Sequence, residues 1–196
     1  NNFLQISTSS VYGRMADSSE EAPTNPFSPY GVSKLAAEKL GFAHRDNFGL
    51  PFTVLRYFSV YGPGQRPDMA YHRFLKAARD NTPITIFGDG EQRRTTTYVD
   101  DIVDATIAAI DRSTPGEIYN ISGSESYSLN EVLGMVREIS EAELDIRYEP
   151  ARPGDQRETK GAIDKARREL GYDPQWSLRD GLSKEWEWLA TLPDYT

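Results

Sequence analysis

Apolar and polar positions near the start of the chain follow two periods, one typical of strands and one of helices. Residues 3–7 predict a short buried strand, and residues 52–57 predict a second one. Between them, residues 29–48 carry apolar side chains at the three- and four-residue spacing of a helix. A strand, a helix and a strand in this order indicate a parallel crossover in one doubly wound sheet. The helical positions expected to face inward are Val32, Leu35, Ala36, Leu40 and Ala43.

The pattern breaks from Gly62 to about Tyr98, where Pro and Gly are frequent, and then returns. A helix is predicted after Asp100-Asp101, because carboxylates are favourable at the positive end of a helix, and its apolar stripe includes Val103, Ile107 and Ile110. The remaining predicted elements are strands at 118–121 and 144–148, a helix from the capping box at 128–131 to about 139, and helices at 163–170 and 178–189.

The composition excludes several classes of protein. Thirty acidic and 22 basic residues give a net charge of −8, which disfavours binding to nucleic acid. The absence of cysteine excludes disulfides, a thiol nucleophile and a thiolate metal site. No apolar stretch approaches a membrane span, and a cytoplasmic location fits this composition. His44 and His72 occur singly, so no metal site is expected.

Tyr30 and Lys34 stand four residues apart in the segment SPYGVSK, residues 28–34. Ser28 can cap a helix that begins at Pro29, so the phenol and the ammonium fall on one helical face. An ammonium close to a phenol favours the ionised form of the phenol, and the pair therefore suits proton transfer. A hydroxyl from the segment STSS, residues 7–10, could pass the proton on.

Five segments together resemble the extended short-chain dehydrogenase/reductase family, and within it the NAD-dependent epimerases and dehydratases of sugar nucleotides. They are STSSVYG, SPYGVSK, LRYFSVYGPGQRPDM, IFGDGEQRR and TYVDDIVDA. The resemblance runs from Phe3 to about Leu192 and is nearest to the UDP-glucose and UDP-glucuronate 4-epimerases. It implies NAD as the cofactor, a UDP-hexose as the nucleotide-sugar substrate, and a homodimer whose interface includes the helix from Pro29.

The resemblance also implies the fold. We expect an α/β protein that contains the C-terminal part of a Rossmann-like doubly wound parallel sheet and a smaller α/β substrate-binding lobe. No Gly-x-x-Gly-x-x-Gly turn occurs in the 196 residues, so the N-terminal dinucleotide-binding part is expected to be absent and this fragment alone to be inactive. The expected division is residues 1–61 for the second half of the Rossmann domain, 62–98 mainly for the substrate lobe, 99–122 for a helix and strand that return to the sheet, and 123–196 mainly for the substrate lobe.

Single residues receive roles from the resemblance. Thr8 would orient the substrate hydroxyl and relay its proton, Tyr30 would be the general base, and Lys34 would hold the nicotinamide ribose. The cofactor-binding set is Tyr30, Lys34, Tyr57 and Ser59. The substrate-binding set is Thr8, Ser9, Ser10, Ser59, Arg66, Phe87, Arg94, Arg152 and Asp155. Arginine suits the diphosphate because its planar fork donates to two phosphate oxygens at once.

Ser9 and Ser10 discriminate between reactions of the family. Its dehydratases usually carry an acidic pair at these positions, and its UDP-glucuronate decarboxylases commonly place an acid there, so two neutral hydroxyls favour 4-epimerisation through a transient 4-keto sugar. UDP-glucose and UDP-glucuronate both remain possible substrates. Gly64, where related glucuronate epimerases often carry arginine, slightly favours a neutral hexose.

Two other functions are compatible with the sequence. One is a UDP-glucuronate decarboxylase, or another sugar-nucleotide dehydratase or reductase of the same family. The other belongs to a different class, a non-catalytic sugar-nucleotide-binding or interaction module, and it follows from the missing Gly-rich turn. Thr95 and Thr96 stand where the family commonly has an acid and an aromatic residue after Arg94, which leaves the substrate preference near that arginine less defined.

Overall fold

The computed structural model describes residues 2–14, 17–151 and 157–193. Helices and strands alternate along this part of the chain. Its strands are β1 (Phe3–Thr8), β2 (Asp17–Ser18), β3 (Phe52–Tyr57), β4 (Val60–Tyr61), β5 (Ile84–Phe87), β6 (Arg93–Thr95), β7 (Thr97–Tyr98), β8 (Ile118–Ile121), β9 (Ser126–Ser128), β10 (Ile146–Glu149) and β11 (Glu158–Gly161). Its α-helices are α1 (Pro29–Phe48), α2 (Ala70–Asp80), α3 (Val99–Arg112), α4 (Leu129–Ser140), α5 (Asp164–Leu170) and α6 (Leu178–Ala190), and a single 3-10 turn spans Ser9–Tyr12.

The strands β1, β3 and β8 form a parallel sheet in the order β1-β3-β8, with helices on both faces. Successive side chains of β3 point to opposite faces. Phe52 packs edge-on against Phe42 of α1, with the ring centroids 5.2 Å apart. Leu55 belongs instead to a buried cluster that includes Ile102 of α3 and Ala166 of α5. Thus α1 covers one face, and α3 and α5 cover the other.

This Rossmann-like parallel sheet begins at Phe3, so the described chain opens with a strand of the nucleotide-binding fold. The expectation that the chain holds only the C-terminal part of such a sheet, joined to a smaller α/β substrate-binding lobe, is therefore wrong. The remaining described strands pair in three small sheets, with orders β10-β5, β2-β11-β6-β9 and β4-β7.

A second apolar cluster lies between α2, α4 and α6. It includes Leu75, Leu133, Val136, Leu182 and Leu189, which are almost completely buried. The helix α4 begins with the predicted capping box, in which Ser128 and Glu131 accept each other's backbone N–H. The sequence pattern did not predict α2 or the strands β6 and β7.

The helix over 29–48 and the strands over 52–57 and 118–121 are confirmed with their predicted bounds. The prediction of which face of α1 is buried is wrong. Val32, Ala36, Leu40 and Ala43 are exposed, and only Leu35 is half-buried. The buried positions of α1 are Gly31 and Glu38, because a glycine and a paired charge lie where the helix meets the sheet.

The helix α3 departs from its predicted pattern in a similar way. Val103, Ile107 and Ile110 are exposed. Asp101 is buried, and its carboxylate accepts hydrogen bonds from the backbone N–H groups of Gln175, at 2.9 Å, and Trp176, at 3.3 Å. Asp101 therefore fixes the segment before α6 instead of capping its own helix. None of the described helices combines the length and the apolar character needed to cross a membrane.

Candidate active site

A cavity of about 780 Å³ lies at the carboxyl ends of β1 and β3. In parallel α/β sheets this edge is the usual place for a ligand. The cavity walls come from β1 and the turn after it, from α1, and from the chain after β3. The lining residues are Ile6, Ser7, Thr8, Ser9, Ser10, Tyr30, Lys34, Tyr57, Phe58, Ser59, Val60, Tyr61, Gly62, Pro63, Gly64, Gln65, Arg66, Met69 and Val99.

The first two turns of α1 bring Tyr30 and Lys34 to this cavity. Ser28 caps the helix by accepting the N–H of Gly31 at 3.0 Å, and Pro29 takes the first helical position, as predicted. The Tyr30 ring is 57% exposed, so its phenol is accessible to a ligand. A Cβ on Gly31 would lie 2.7 Å from the carbonyl oxygen of Ser10. The absence of a side chain at Gly31 therefore lets the helix approach the turn after β1.

Thr8 ends β1 and caps the 3-10 turn. Its hydroxyl accepts the N–H of Ser10 at 3.2 Å and donates to the Ser10 hydroxyl at 3.3 Å. Ser9 and Ser59 line the same cavity. The structure thus brings together the predicted residues Thr8, Ser9, Ser10 and Ser59, and the hydroxyl of Thr8 serves as a cap while it borders the cavity.

Tyr57 also lines the cavity, at the end of β3. Its phenol lies 2.5 Å from the Thr106 hydroxyl on α3. Burial raises the pKa of Tyr57 above its usual value, although the hydrogen bond to Thr106 acts in the opposite direction. The phenol therefore stays protonated and serves as a fixed wall of the cavity.

A buried ion pair that the sequence analysis did not identify lies between α1 and the sheet. Glu38 and Arg56 are 1% and 3% exposed, and the guanidinium donates to both carboxylate oxygens. Burial lowers the pKa of Arg56, but the hydrogen bonds and charge of Glu38, together with Tyr12, outweigh it and raise that pKa above its usual value. The sequence does contain a signal for this ion pair: an arginine in the apolar strand FTVLRY and a glutamate one turn after Lys34.

The loop Gly62–Arg66 also lines the cavity. The Gly62 N–H donates to the carboxylate of Glu185 at 3.0 Å. Glu185 is completely buried in α6, and burial raises its pKa to about 7, against the opposing effect of that hydrogen bond. Arg66 is largely exposed and pairs with Asp68 at 3.2 Å.

Two of the predicted substrate-binding residues lie away from these walls. Phe87 ends β5, and its carbonyl oxygen accepts a hydrogen bond from the Gln92 side chain at 3.1 Å. Arg94 lies in β6, half-buried, and donates to the Arg93 carbonyl at 2.7 Å. Arg152 and Asp155 lie outside the described residues.

The two histidines lie in helices and are far from equivalent. His44 is exposed on α1, whereas His72 is buried on α2, where it packs against Trp188. Burial lowers the pKa of His72, with help from the neighbouring charges of Lys76 and Arg79. Among the described residues, no group of three or more His, Cys, Asp or Glu side chains is arranged to hold a metal ion.

Comparison with known proteins identifies relatives that match almost the whole chain. The model of the NAD dependent epimerase/dehydratase family matches residues 1–122. The uncharacterized UDP-glucose epimerase YtcB of Bacillus subtilis is 42% identical over 192 residues, which are 97% of this chain and 61% of that protein. A UDP-glucuronate 4-epimerase of Thermodesulfobacterium geofontis is 36% identical over 95% of this chain and 58% of its own length.

A solved structure gives the same result for the fold. The UDP-glucuronic acid 4-epimerase of Bacillus cereus, in complex with UDP-glucuronic acid and NAD, superposes with a TM-score of 0.92 at 42% identity. The alignment covers 97% of this chain and 62% of that one. The chain thus spans about three fifths of the length of the relatives it matches.

The family match corrects one expectation from the sequence. It begins at the first residue and extends to residue 122, through the parallel sheet that lines the cavity. Dinucleotide-binding structure is therefore present in this part of the chain, and the expectation that the dinucleotide-binding part is absent is wrong. The hypothesis of a non-catalytic module depended on that absence and is therefore no longer supported.

Proposed function

The chain belongs to the NAD dependent epimerase/dehydratase family, and from this premise we propose that it carries the catalytic residues of an NAD-dependent nucleotide-sugar 4-epimerase. One observation carries the proposal. A single cavity at the carboxyl ends of β1 and β3 is lined by Thr8, Tyr30 and Lys34 together. A hydroxyl, a phenol and an ammonium around one space form a set that can remove a proton from a sugar hydroxyl and later return it.

The cavity residues fit the nicotinamide end of the cofactor. Lys34 offers three ammonium donors for the hydroxyls of a ribose, and Tyr57 and Ser59 provide further polar groups on the neighbouring strand end. When it is bound, NAD supplies the acceptor and donor of a hydride at the sugar carbon. The relative from Bacillus cereus is described in complex with NAD.

Tyr30 is the general base of the proposed reaction. Its accessible phenol takes the proton of the sugar 4-hydroxyl, either directly or through the hydroxyl of Thr8, and the carbon becomes a ketone. The ammonium of Lys34 lies on the same helical face as this phenol and lines the same cavity. After the 4-keto sugar has presented its opposite face, the same phenol returns the proton to the 4-oxygen. The net change is inversion at one carbon.

We propose UDP-glucuronate as the substrate ahead of UDP-glucose, which reverses the slight preference for a neutral hexose drawn from Gly64. The guanidinium of Arg66 lines the cavity and can attract the carboxylate at C6. The hydroxyls of Ser9, Ser10 and Ser59 can donate to its oxygens. Two of the relatives reported above are UDP-glucuronate 4-epimerases.

A second copy of the chain is the proposed protein partner. The helix α1 exposes Val32, Leu40 and Phe48, which are 52, 62 and 77% accessible to solvent. These side chains lie on the part of α1 that faces away from the sheet. An apolar helical face of this kind is typical of a surface that another helix covers.

The proposal is tested with the full-length protein, NAD and each UDP-sugar in turn, with the product identified by ¹H NMR. We expect UDP-glucuronate to be converted to its 4-epimer, and Tyr30→Phe to lower kcat by about 100- to 10,000-fold. Lys34→Met should also lose activity, whereas Lys39→Met, at an exposed position of the same helix, should retain it. Release of carbon dioxide would instead indicate the decarboxylase, and no conversion of either sugar would contradict the proposal.

A further inference from the structure

The carboxylate of Glu38 lies behind the cavity and connects three elements of the fold. The Arg56 guanidinium donates to its Oε1 at 3.0 Å through Nε and to its Oε2 at 2.7 Å through Nη2. The Ser7 hydroxyl donates to Oε1 as well. All three side chains are almost completely buried. Glu38 belongs to α1, Ser7 to β1 and Arg56 to β3.

The partners of Glu38 stand one residue before residues that line the cavity. Ser7 and Arg56 are register partners on adjacent parallel strands, and the next pair in register is Thr8 and Tyr57. On the helix, Glu38 follows Lys34 by four residues and Tyr30 by eight, which is one and two turns. A single carboxylate therefore connects the helix of the phenol and the ammonium to both strand ends.

The network extends to the third strand of the sheet. Nη1 of Arg56 donates to the Tyr12 hydroxyl at 2.9 Å, and the guanidinium lies over the Tyr12 ring at 4.8 Å from its centroid. That hydroxyl donates in turn to Oδ1 of Asn120, on β8, at 2.7 Å. The position of α1 is thus fixed relative to β1, β3 and β8 by directional contacts.

Fold stability alone is a weak reason for such a pair. Removing two charges from water carries a large desolvation cost, and apolar side chains of similar volume often stabilise a core equally well. A guanidinium and a carboxylate in fork geometry add directional specificity. If α1 shifted along the sheet, both charges would lose their partners in a buried environment, so alternative positions of the helix are strongly disfavoured.

We propose that Glu38 is a positioning residue, which acts through Arg56 and Ser7 to hold Tyr30 and Lys34 of α1 at a fixed distance from Thr8 and Tyr57. The inference rests on the proposed function and assigns to the buried pair a role in the geometry of the same site. Glu38 itself lies behind the cavity wall and is absent from the lining residues of the described cavity.

The test replaces the ion pair by an apolar pair, Glu38→Leu together with Arg56→Met, in the full-length protein. The matched control is Leu133→Ala, which removes a buried side chain from α4 in the other apolar cluster. Circular dichroism and urea unfolding establish that each variant is folded. The readouts are kcat, KM, the pH profile of kcat, and the ¹³Cζ chemical shift of Tyr30, assigned from its loss in Tyr30→Phe.

We expect the folded double variant to lose about 10- to 100-fold in kcat because the phenol is displaced from the reacting hydroxyl. Its KM should change far less than its kcat. The midpoint of its pH profile of kcat should differ from that of the wild type, and the Tyr30 signal should shift or broaden. Leu133→Ala should be less stable but should retain kcat, the pH profile and the Tyr30 signal. A folded double variant with the kcat, pH profile and Tyr30 signal of the wild type would overturn the proposal.

Two further measurements keep the proposal testable if the double variant does not fold, or if the wild type converts no substrate. Arg56→Lys keeps the buried charge but loses the fork, and it should lower kcat in the same direction with a smaller loss of stability. An unchanged kcat and Tyr30 signal in that variant would also contradict the proposal. If the wild type converts neither sugar, the proposed function fails, and the Tyr30 signal still decides whether Glu38 positions the helix.

Discussion

Thr8 and Tyr57 are register partners at the carboxyl ends of two adjacent parallel strands, β1 and β3. Because β1 and β3 are parallel, their carboxyl ends lie at one edge of the sheet, and residues separated by 49 positions become neighbours. The crossover helix α1 begins at this same edge and adds Tyr30 and Lys34. The site is thus a consequence of the strand–helix–strand order that the hydrophobic pattern already indicates.

Gly31 controls how closely α1 approaches the turn after β1. A methyl group there would lie 2.7 Å from the Ser10 carbonyl oxygen and 3.0 Å from Cβ of Pro26. The Ser10 carbonyl oxygen belongs to the backbone and cannot move aside as a flexible side chain would. Gly31→Ala should therefore displace the first turn of α1, which carries Tyr30. We expect a loss of about tenfold or more in kcat, measured with saturating UDP-sugar and NAD.

Gly134 is the matched control for this substitution. It lies inside the helix α4, and a methyl group there would meet no atom within 4 Å. Gly134→Ala should therefore stabilise the protein by about 1 kcal/mol, as expected for alanine in a helix, with kcat unchanged. Equal activity of Gly31→Ala and wild type would show that the approach of the helix at Gly31 is unimportant for catalysis.

The sequence was sufficient to locate the core of the candidate site. Pro29 and the cap at Ser28 determine where α1 begins, and this start, together with the four-residue spacing, places Tyr30 and Lys34 on the cavity side. The run of hydroxyl residues after an apolar strand indicated a proton relay, and the resemblance of STSSVYG to the family identified Thr8 within that run. Each of these signals is local, so they can be read from the sequence without knowledge of the tertiary packing.

The parts that could not be predicted depend on what each element packs against. Val32 and Leu40 follow the spacing of a buried face, but that face of α1 is exposed, and the sheet instead receives Glu38. An inward-facing glutamate is compatible with the fold only because Arg56, 18 residues later, provides its partner. The helix α2 was missed because the flanking Pro and Gly residues obscured its short apolar pattern.

Glu185 should make the stability of the protein depend on pH. Burial raises its pKa to about 7 from a usual value of 4.5, so between these values the folded chain holds a proton that the unfolded chain has lost. Stability should therefore fall as the pH rises through this window, by about 3 kcal/mol in total. Glu185→Gln, which stays neutral, should lose this part of the dependence and be more stable than the wild type at pH 8.

Urea unfolding at pH 5 and pH 8, followed by tryptophan fluorescence, checks this prediction. Trp186 and Trp188 are probes in the same helix. Glu187→Gln is the control, because Glu187 is 63% exposed and pairs with Lys184 at the surface. The control should keep the pH dependence of the wild type. A Glu185→Gln variant that shows the same fall in stability from pH 5 to pH 8 would rule out Glu185 as its origin.

The exposed apolar face of α1 should hold two copies of the protein together. Leu40 is 62% exposed near the middle of the helix, and a charge at this position would be buried without a partner in a helix–helix interface. We expect Leu40→Glu to shift the mass measured by light scattering from dimer to monomer. Ile110→Glu, at an equally exposed position of α3, should leave the mass unchanged. A wild-type monomer at micromolar concentration would contradict the proposed interface.

The reaction in D₂O tests the central claim most directly, namely that Tyr30 and its neighbours support a transient oxidation at C4 of the sugar. Full-length protein is incubated with UDP-glucuronate and NAD in D₂O, and the 4-epimer is examined by ¹H NMR. A transient oxidation returns the same hydrogen to C4, so we predict no deuterium at this carbon and no reaction with Tyr30→Phe. Deuterium at C4 of the product would show that the carbon is inverted through exchange with solvent, and this would contradict the proposed transient oxidation.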